Sequence, residues 1–438
     1  MFAAFRNILK VPELRRRVLF TTGLLAVFRL GCHIPTPGID GQALAKFFEQ
    51  AKGTLFGLAD LFAGGALSNA AIFGLGIMPY ISASIIFQLL TAVIPSLERL
   101  AKEGDAGRKK IQQYTRYATI VIAMIQGFMI SRWLENPEAF NAVIVPNPGW
   151  QFRMMATLTL TTGTIFVMWL GEQISDHGIG NGISLIITAN IISRMPFAFL
   201  RACEMLRNAE IKPFVILFLL VLTVAMTAAV VVLTQAQRRI PVQHARRIVG
   251  RKVYSQQSSY IPLRVNHAGM IPVIFASSIL MFPETLKRFS NSEILQTIGA
   301  WLSWGTPLYS MLYVVLIIFF CYFYTAITFN PVTIADNMKK FGSFIPGVRP
   351  GKATSDYFYR IMNRITLAGA IGLAFVAIFP MMVSKGLRID YLVASFCGGT
   401  GTIIVVGVVL DTMKQVESQL LMRHYDGFMK KVKLRGRR

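Results

Sequence analysis

Charge is scarce in this chain, and its scarcity excludes most classes of soluble protein. Only 15% of the 438 residues are charged, whereas 54% are apolar and the mean hydropathy is +0.52. A soluble globular protein carries about 25% charged residues. Such an apolar composition also excludes a disordered chain. It indicates a membrane protein rather than two or three soluble domains of about 150 residues each.

Cysteine pairs and the common catalytic motifs are absent as well. The chain has no CxxC, HExxH or GxSxG sequence, and its five histidines are scattered. These absences argue against a disulfide framework, a metal site and the commonest hydrolases. We therefore expect no enzymatic activity and no cofactor. The cysteines are expected to be apolar packing residues: Cys32, Cys203, Cys321 and Cys397.

The apolar residues form ten blocks, each close to the roughly 20 residues that span a membrane. The predicted spans 1 to 10 cover residues 18–34, 71–95, 117–134, 154–171, 182–199, 213–236, 266–284, 307–329, 365–384 and 391–410. Arg29 lies inside span 1, and we expect its side chain to snorkel to the interface. Pro272, Pro380 and the glycine-rich opening of span 5 interrupt three blocks. Such segments either line a cavity or are ordinary helix kinks.

The distribution of charge predicts the orientation of the spans. An even number of spans places both termini on one side, where the loops and tails carry a net charge of +21, against +2 on the other side. By the positive-inside rule, the basic side is the cytoplasm. No small-residue cleavage site follows the first block. We therefore expect a multi-pass protein of the inner (cytoplasmic) membrane with both termini cytoplasmic.

Two cytoplasmic loops, 237–265 and 330–364, are long for a compact bundle. The first has seven basic and no acidic residues, and their alternation with β-branched and aromatic residues predicts a small hairpin. It suits an acidic or nucleic-acid partner such as ribosomal RNA, although contact with anionic lipid is an alternative. The second contains Gly351-Lys352 without the spacing of a nucleotide-binding loop. We interpret it as a stiff turn that presents Arg349.

Several short sequences stand out on this ten-span frame. They are GGALS (64–68) with GIMPYISASI (76–85), GEQI (171–174) with GIGNG (178–182), FYTA (323–326) with FNP (329–331), and IPGVRPG (345–351). Through them, from about Pro12 onwards, the chain resembles the SecY/Sec61-alpha family of protein-conducting channels. The resemblance implies a passive gated channel that secretes unfolded polypeptides across the membrane and inserts apolar segments laterally into lipid.

The fold implied by the resemblance is all-α and polytopic, with ten transmembrane helices. Two inverted five-helix halves surround a central hourglass pore. Residues 1–200 would form the N-terminal half with spans 1 to 5, and residues 201–415 the C-terminal half with spans 6 to 10. A basic cytoplasmic tail, 416–438, would follow.

The family's pore ring corresponds to six isoleucines: Ile77, Ile81, Ile183, Ile187, Ile274 and Ile404. Bulky apolar side chains make a narrow, dry neck that resists ion entry; ordinary packing isoleucines are the alternative. The family's plug corresponds to about residues 63–73, including Gly64, Gly65, Ala66, Leu67, Ser68 and Phe73. Its small residues suit a short, weakly held helix, the alternative being a re-entrant linker without a gating role.

The family's lateral gate lies between spans 2 and 3 on one side and spans 7 and 8 on the other. Its polar candidates here are Gln88, Gln126, Ser277 and Ser278. Hydrogen bonds between membrane helices contribute about 0.6 kcal/mol each. A Leu-rich signal segment gains about 0.3–0.6 kcal/mol per residue in lipid, so it could part a few such bonds. Local packing within each half is the alternative.

Four positions match sites where the family meets the ribosome or the SecA motor: Arg251, Lys252, Arg349 and Tyr425. The implied partners are the small membrane subunits SecE and SecG, the ATPase SecA, the ribosome with its nascent chain, signal sequences and membrane lipid. Lys252 stands where many relatives have arginine, and Val332 follows Asn330-Pro331 where a polar residue is expected. Both departures bear on partner affinity, since lysine lacks the bidentate fork of arginine.

Two other functions have to be weighed against the sequence, a secondary transporter and an intramembrane enzyme. A secondary transporter also uses broken helices, but no carboxylate lies deep inside a span, where a coupled transporter often carries one. Glu172 and Asp176, at the end of span 4, are interpreted as a solvated loop end. An intramembrane enzyme lacks a catalytic constellation.

Overall fold

The structure is a computed structural model. It describes residues 11–50, 60, 63–140, 143–209, 211–244, 248–249, 252–253, 258–289, 297, 301–303, 305–387 and 389–431. The chain divides into two compact units: Met1–Glu204 together with Ile404–Arg438, and Met205–Ile403. The predicted halves, 1–200 and 201–415, concern an inverted repeat, and that division stays a prediction.

Helices dominate the first unit. They are α1 Pro12–Gly31, α2 Gly41–Gln50, α3 Met78–Val93, α4 Pro95–Lys102, α5 Asp105–Leu134, α6 Pro137–Phe140, α7 Trp150–His177 and α8 Gly182–Arg207, whose last turn enters the second unit. Each of the helices α1, α3 and α4 has a proline at its first or second position. Proline is tolerated there because its φ already fits a helix and the first N–H groups have no intrahelical acceptor.

The second unit adds a small sheet to its helices. Its elements are α9 Pro213–Gln235, β1 Gln237–His244, β2 Ile248–Val249, β3 Lys252–Val253, β4 Ser258–Arg264, α10 Ile271–Phe289, α11 Pro307–Thr328, α12 Pro331–Lys340, β5 Ser343–Phe344, α13 Lys352–Leu387, α14 Tyr391–Ala394 and a 3-10 turn Ser395–Cys397. The last helix, α15 Gly399–Lys431, begins here and continues into the first unit.

A helix occupies each of the ten predicted spans, in the order α1, α3, α5, α7, α8, α9, α10, α11, α13 and α15. Among the described residues, α5, α7, α8, α9, α11 and α13 have the length and hydropathy of membrane spans. Helices α3 and α4, bent by 100° at their junction, form a seventh candidate. The prediction of an all-α membrane protein is thus confirmed.

The ends of several helices differ from the prediction. Span 2 is helical only from Met78, and span 10 becomes a continuous helix only from Gly399. Helix α13 begins at Lys352, so the second long loop, 330–364, is largely structured. Pro272 is the second residue of α10 and does not interrupt it, whereas Pro380 does lie inside α13.

The predicted hairpin in loop 237–265 is confirmed. Strand β1 pairs antiparallel with β4 from Gln237 opposite Arg264 to Gln243 opposite Ser258, and its other edge pairs with β5. The two long loops therefore meet in one three-stranded sheet in the order β4-β1-β5. We call this sheet, together with α12 and the turn 345–351, the platform. Its core is apolar and includes Ile240, Val242, Leu263, Met338, Ile345 and Phe358.

Candidate functional site

A chain of turns, not the predicted short helix, connects residues 63 and 77 in the first unit. We call these residues the turn segment. Gly64, Gly65 and Gly76 have φ angles of +66°, +89° and +56°. Residues that have a Cβ atom rarely adopt these φ angles. The small residues noted in the sequence therefore serve tight turns, and the turns replace the helix that was expected.

The turn segment is closely packed against α1 and α7. Phe73 stacks on Phe28 with ring centroids 5.8 Å apart and on Phe166 at 5.9 Å. A Cβ added at Gly31 would lie 2.0 Å from the Phe73 ring, and one at Gly163 would lie 2.1 Å from the carbonyl oxygen of the preceding residue, Ile72. Both helices thus carry a glycine where the segment lies against them. The segment is thus closely packed in this conformation, and the expectation that it is weakly held stays a prediction.

Backbone hydrogen bonds add to this packing. The N–H of Thr36 donates to the carbonyl of Ala70 at 2.7 Å, and the N–H of Ile72 donates to the carbonyl of Ile34 at 2.9 Å. Irregular backbone needs such partners, because an unpaired buried N–H or C=O group costs as much as a lost hydrogen bond.

Charged side chains secure the start of the turn segment. Arg29 donates to the carbonyl of Gly64 at 2.6 Å, so it reaches inward and does not snorkel as expected. Arg194 on α8 forms an ion pair with Asp60 and lies 3.3 Å from Ser68 Oγ. Sequence reasoning missed this pair, because its members are 134 positions apart. A signal existed: no charged residue lies between Asp60 and Glu98, and Arg194 sits near the end of an otherwise apolar span.

The structure describes all six predicted pore-ring isoleucines. Ile77 ends the turn segment, and its carbonyl accepts from the N–H of Ile81 at 3.1 Å. Ile77, Ile81, Ile187 and Ile404 are buried, whereas Ile183 and Ile274 are half-buried. Five belong to the first unit, and Ile274 belongs to the second. The ring itself stays a prediction.

The glycine-rich opening of span 5 positions two of the ring residues. Ile179 N–H donates to Thr21 Oγ1 of α1 at 3.1 Å, and Gly180 N–H donates to Gln415 Oε1 of α15 at 3.0 Å. Gly182 N–H donates to Ser175 Oγ of α7 at 2.9 Å. Three helices thus fix the start of α8, from which Ile183 and Ile187 project.

Three of the four predicted gate residues make hydrogen bonds within their own helices. Ser277 and Ser278 both donate to the carbonyl of Ile274, at 2.9 and 2.8 Å, and Gln88 donates to Ser84 at 3.3 Å. Gln126 is half-buried on α5. This arrangement matches the alternative of local packing for the first three residues. Their role in a gate stays a prediction.

Glu172 is not the solvated loop end that the sequence indicated. Its side chain is 10% exposed, and its Oε1 accepts from Arg116 Nε at 2.7 Å and from Gln112 Nε2 at 3.1 Å. Both donors lie near the start of α5, so the network ties the end of α7 to α5. Asp176, one turn later, is exposed as expected.

A surface ion pair offers a contrast on α4. Lys102 Nζ lies 2.6 Å from Glu98 Oε1, and this hydrogen bond lowers the pKa of the Glu98 carboxyl. Both side chains are more than half exposed. Such exposed pairs contribute little to stability.

The predicted docking residues that the structure describes lie on the platform, in the separate two-stranded sheet β2-β3 and in α15. Arg349 is exposed in the turn after β5, where its carbonyl accepts from Thr354 Oγ1 at 2.9 Å. Lys252 belongs to the short strand β3, and Tyr425 belongs to α15. Arg251 lies outside the described residues. The platform surface is basic, because Arg238, Arg239, Arg264, Lys339, Lys340 and Arg349 are all exposed.

Comparisons with known proteins agree on one family. A sequence model of the SecY family matches residues 71–413. The chain is 47% identical over 428 residues to Protein translocase subunit SecY of Escherichia coli strain K12, which covers 97% of this chain and 96% of that protein.

Two solved structures show the same fold. One is a SecY protein whose plug domain is described as stabilizing the closed state of the translocation channel and maintaining a membrane seal. It has a TM-score of 0.63 and 18% identity, and the match covers 92% of each chain. The other is Sec61 in the canine ribosome-channel complex from the endoplasmic reticulum, with a TM-score of 0.60, 16% identity and the same coverage.

Proposed function

Because the chain belongs to the SecY family, we propose that it is the pore-forming subunit of a protein translocase. It acts as a passive, gated channel for unfolded polypeptides and releases apolar segments sideways into lipid. It catalyses no reaction, so a partner must supply the energy for translocation. The motor ATPase SecA or the ribosome supplies it, and SecE and SecG are the small membrane partners. The chain resides in the inner membrane with both termini in the cytoplasm.

The observation that carries this proposal is the turn segment. Non-helical backbone within a membrane protein is tolerated only where protein or water surrounds it, because lipid offers no hydrogen-bond partners. Residues 63–77 are irregular and packed between α1, α7 and α8, and they lead directly into Ile77 and Ile81. A transporter or an enzyme has no need of such a stopper. A channel that passes whole polypeptides needs one to keep ions from leaking.

In this proposal the turn segment is the plug and the six isoleucines form the neck. The apolar neck seals around a chain without binding it through hydrogen bonds, and dewetting excludes ions. The gate opens when the free energy that an apolar signal segment gains on entering lipid exceeds the free energy of the gate contacts that are lost. Gln88, Ser277 and Ser278 already satisfy hydrogen bonds within their helices. These three hydrogen bonds lie within single helices and can therefore persist when the gate opens.

The buried carboxylates speak against the rival transporter. A proton- or sodium-coupled transporter often carries a carboxylate that is free to bind the coupling ion. Among the described residues, the carboxylates of Asp60, Glu135 and Glu172 are shielded, and each is paired with an arginine. These carboxylates are structural anchors.

Crosslinking tests the channel directly. All four native cysteines are replaced by alanine, Ile274→Cys is introduced, and a secretory chain with its own cysteine is arrested in mid-passage. We expect a disulfide between the two cysteines under oxidation, because Ile274 faces the neck. The matched control is Leu217→Cys on α9, a position that is 60% exposed and expected to face lipid.

A disulfide from Ile274→Cys but not from Leu217→Cys would support the polypeptide path. Equal crosslinking from both positions, or none from Ile274→Cys with the substrate engaged, would refute it.

A further inference from the structure

A buried ion pair joins the turn segment to α8. Arg194 donates through Nη2 to the carboxylate of Asp60, and the same nitrogen lies 3.3 Å from Ser68 Oγ. The other carboxylate oxygen of Asp60 accepts from Ser68 N–H at 2.9 Å. The backbone carbonyl of Asp60 accepts from Gly65 N–H, also at 2.9 Å. One arginine from a membrane-spanning helix thus contacts both ends of the stretch 60–68.

The glycine at position 65 shows how closely the backbone approaches this arginine. Gly65 has a φ of +89°, and a Cβ placed on it would lie 2.8 Å from Arg194 Nη2. Any larger residue would push against the guanidinium as well as strain the backbone. The turn therefore leaves room for the arginine that reaches across to Asp60.

Burial determines how strong this contact is. The side chains of Asp60 and Arg194 are 8% and 20% exposed. Two charges attract strongly in a dry site and weakly in water. Removing one partner leaves an uncompensated buried charge, which destabilises far more than replacing both partners with neutral groups.

We propose that Arg194 is a positioning residue that latches the turn segment in its closed position through Asp60 and Ser68. The latch is strong while the neck is dry, and it weakens when water enters with a translocating chain. The stack of Phe73 on Phe28 involves no charges, so hydration does not weaken it in the way that it weakens an ion pair. Release therefore begins at the Asp60 end of the segment. This inference rests on the proposed role of the segment as a plug.

The test measures ion conductance through purified channels in planar lipid bilayers without substrate. We expect Arg194→Gln to raise the resting conductance by about tenfold or more, since it strands a buried carboxylate. Arg194→Lys, which keeps the charge, should stay close to the native value. The double variant Asp60→Asn/Arg194→Gln should conduct less than Arg194→Gln alone, because neither partner is then left charged.

Arg153→Gln is the matched control. Arg153 pairs with Glu135 at 2.7 Å in the same unit, with side chains 32% and 8% exposed, and joins the loop after α5 to α7 without touching the turn segment. It should lower the unfolding temperature as Arg194→Gln does, yet leave the conductance at the native level. A conductance that rises equally in both variants would overturn the latch, because it would report general loosening.

Deletion of residues 64–72 separates this inference from the proposed function. If the deletion raises conductance while Arg194→Gln does not, the segment is a plug but the latch is wrong. If the deletion leaves conductance at the native level, the plug role fails and the latch fails with it. Raised conductance in both, with recovery in Arg194→Lys, supports both.

Discussion

Buried charges in the first unit occur as pairs whose members come from different helices or loops. Glu172 at the end of α7 meets Arg116 of α5, and Glu135 after α5 meets Arg153 of α7. The two pairs join the same two helices near opposite ends. A buried pair contributes little net stability but is destabilising to break. At the scale of single residues, such pairs fix which helix ends meet.

The pair between α5 and α7 gives a stability prediction. Arg116→Gln leaves Glu172 buried with only Gln112 as a donor, and we expect a loss of about 2 kcal/mol in unfolding free energy. The figure lies below that for a fully buried pair because Arg116 is 45% exposed and screened by solvent. Thermal unfolding in detergent measures it.

Lys102→Gln is the control for Arg116→Gln, since it breaks an exposed pair and should not change the unfolding temperature. Equal shifts in the two variants would contradict the assignment of Glu172 as a buried anchor.

The pore ring gives a second prediction for individual residues. Replacing both Ile183 and Ile187 with serine should raise resting ion conductance, because hydroxyls allow water to stay in the neck. Ile192→Ser on the same helix is the control, as that side chain is 45% exposed. Planar-bilayer recordings compare them. Native conductance in the double variant would count against the ring.

At the scale of elements, the platform joins two long loops in one sheet, which we propose as the docking surface. Strand β1 alternates between exposed Arg239 and Pro241 and buried Ile240 and Val242, so one face is basic and the other is packed. Arg239 also lies over the ring of Tyr260, with the guanidinium carbon 4.8 Å from its centroid. A cation in this position is attracted to the face of the aromatic ring.

The platform leads to a prediction about the motor. Arg349→Glu should impair SecA-driven export while leaving the unfolding temperature unchanged, because the side chain is exposed. Export of a secretory precursor into inverted membrane vesicles measures the effect. Lys212→Glu makes the same change of charge before α9, on the predicted opposite side, and should export normally. Normal export by Arg349→Glu would remove this residue from the docking surface.

The membrane-spanning helices were predictable from sequence, because hydropathy alone indicates where they lie. The ten apolar blocks each hold a helix, since length and apolarity suffice to specify a span. The turn segment was not predictable, because its apolar residues suit a helix and its shape depends on glycine notches at Gly31 and Gly163. Burial of Glu172 depends equally on Arg116, whose proximity no local pattern encodes. The hairpin was predictable because alternation is a local signal.

At the scale of the whole molecule, charge asymmetry predicts the orientation of the chain in the membrane. The basic residues of the platform lie in loops that the positive-inside rule assigns to the cytoplasm. Lys212 and Trp301 lie in loops that it assigns to the other face. On this predicted topology, the proposed docking surface would be accessible to a ribosome or a motor in the cytoplasm.

Labelling tests this topology. In a chain whose native cysteines are replaced, Arg349→Cys should react with a membrane-impermeant maleimide only in inverted vesicles. Lys212→Cys should react in spheroplasts, where the outer face is accessible. Both positions are exposed, so access depends only on the side of the membrane. Labelling of Arg349→Cys in intact spheroplasts would reverse the predicted orientation.

Helix α13 is long and is attached to the platform at its start. Its 36 residues span about 54 Å, and the turn that bears Arg349 is fastened to its first turns by Thr354 and by the apolar cluster around Phe358. A rod of that length, tilted by one degree about its start, moves its far end by about 0.9 Å. On the predicted topology, a partner that binds this turn on one side of the membrane would therefore displace the far end of α13 on the other side.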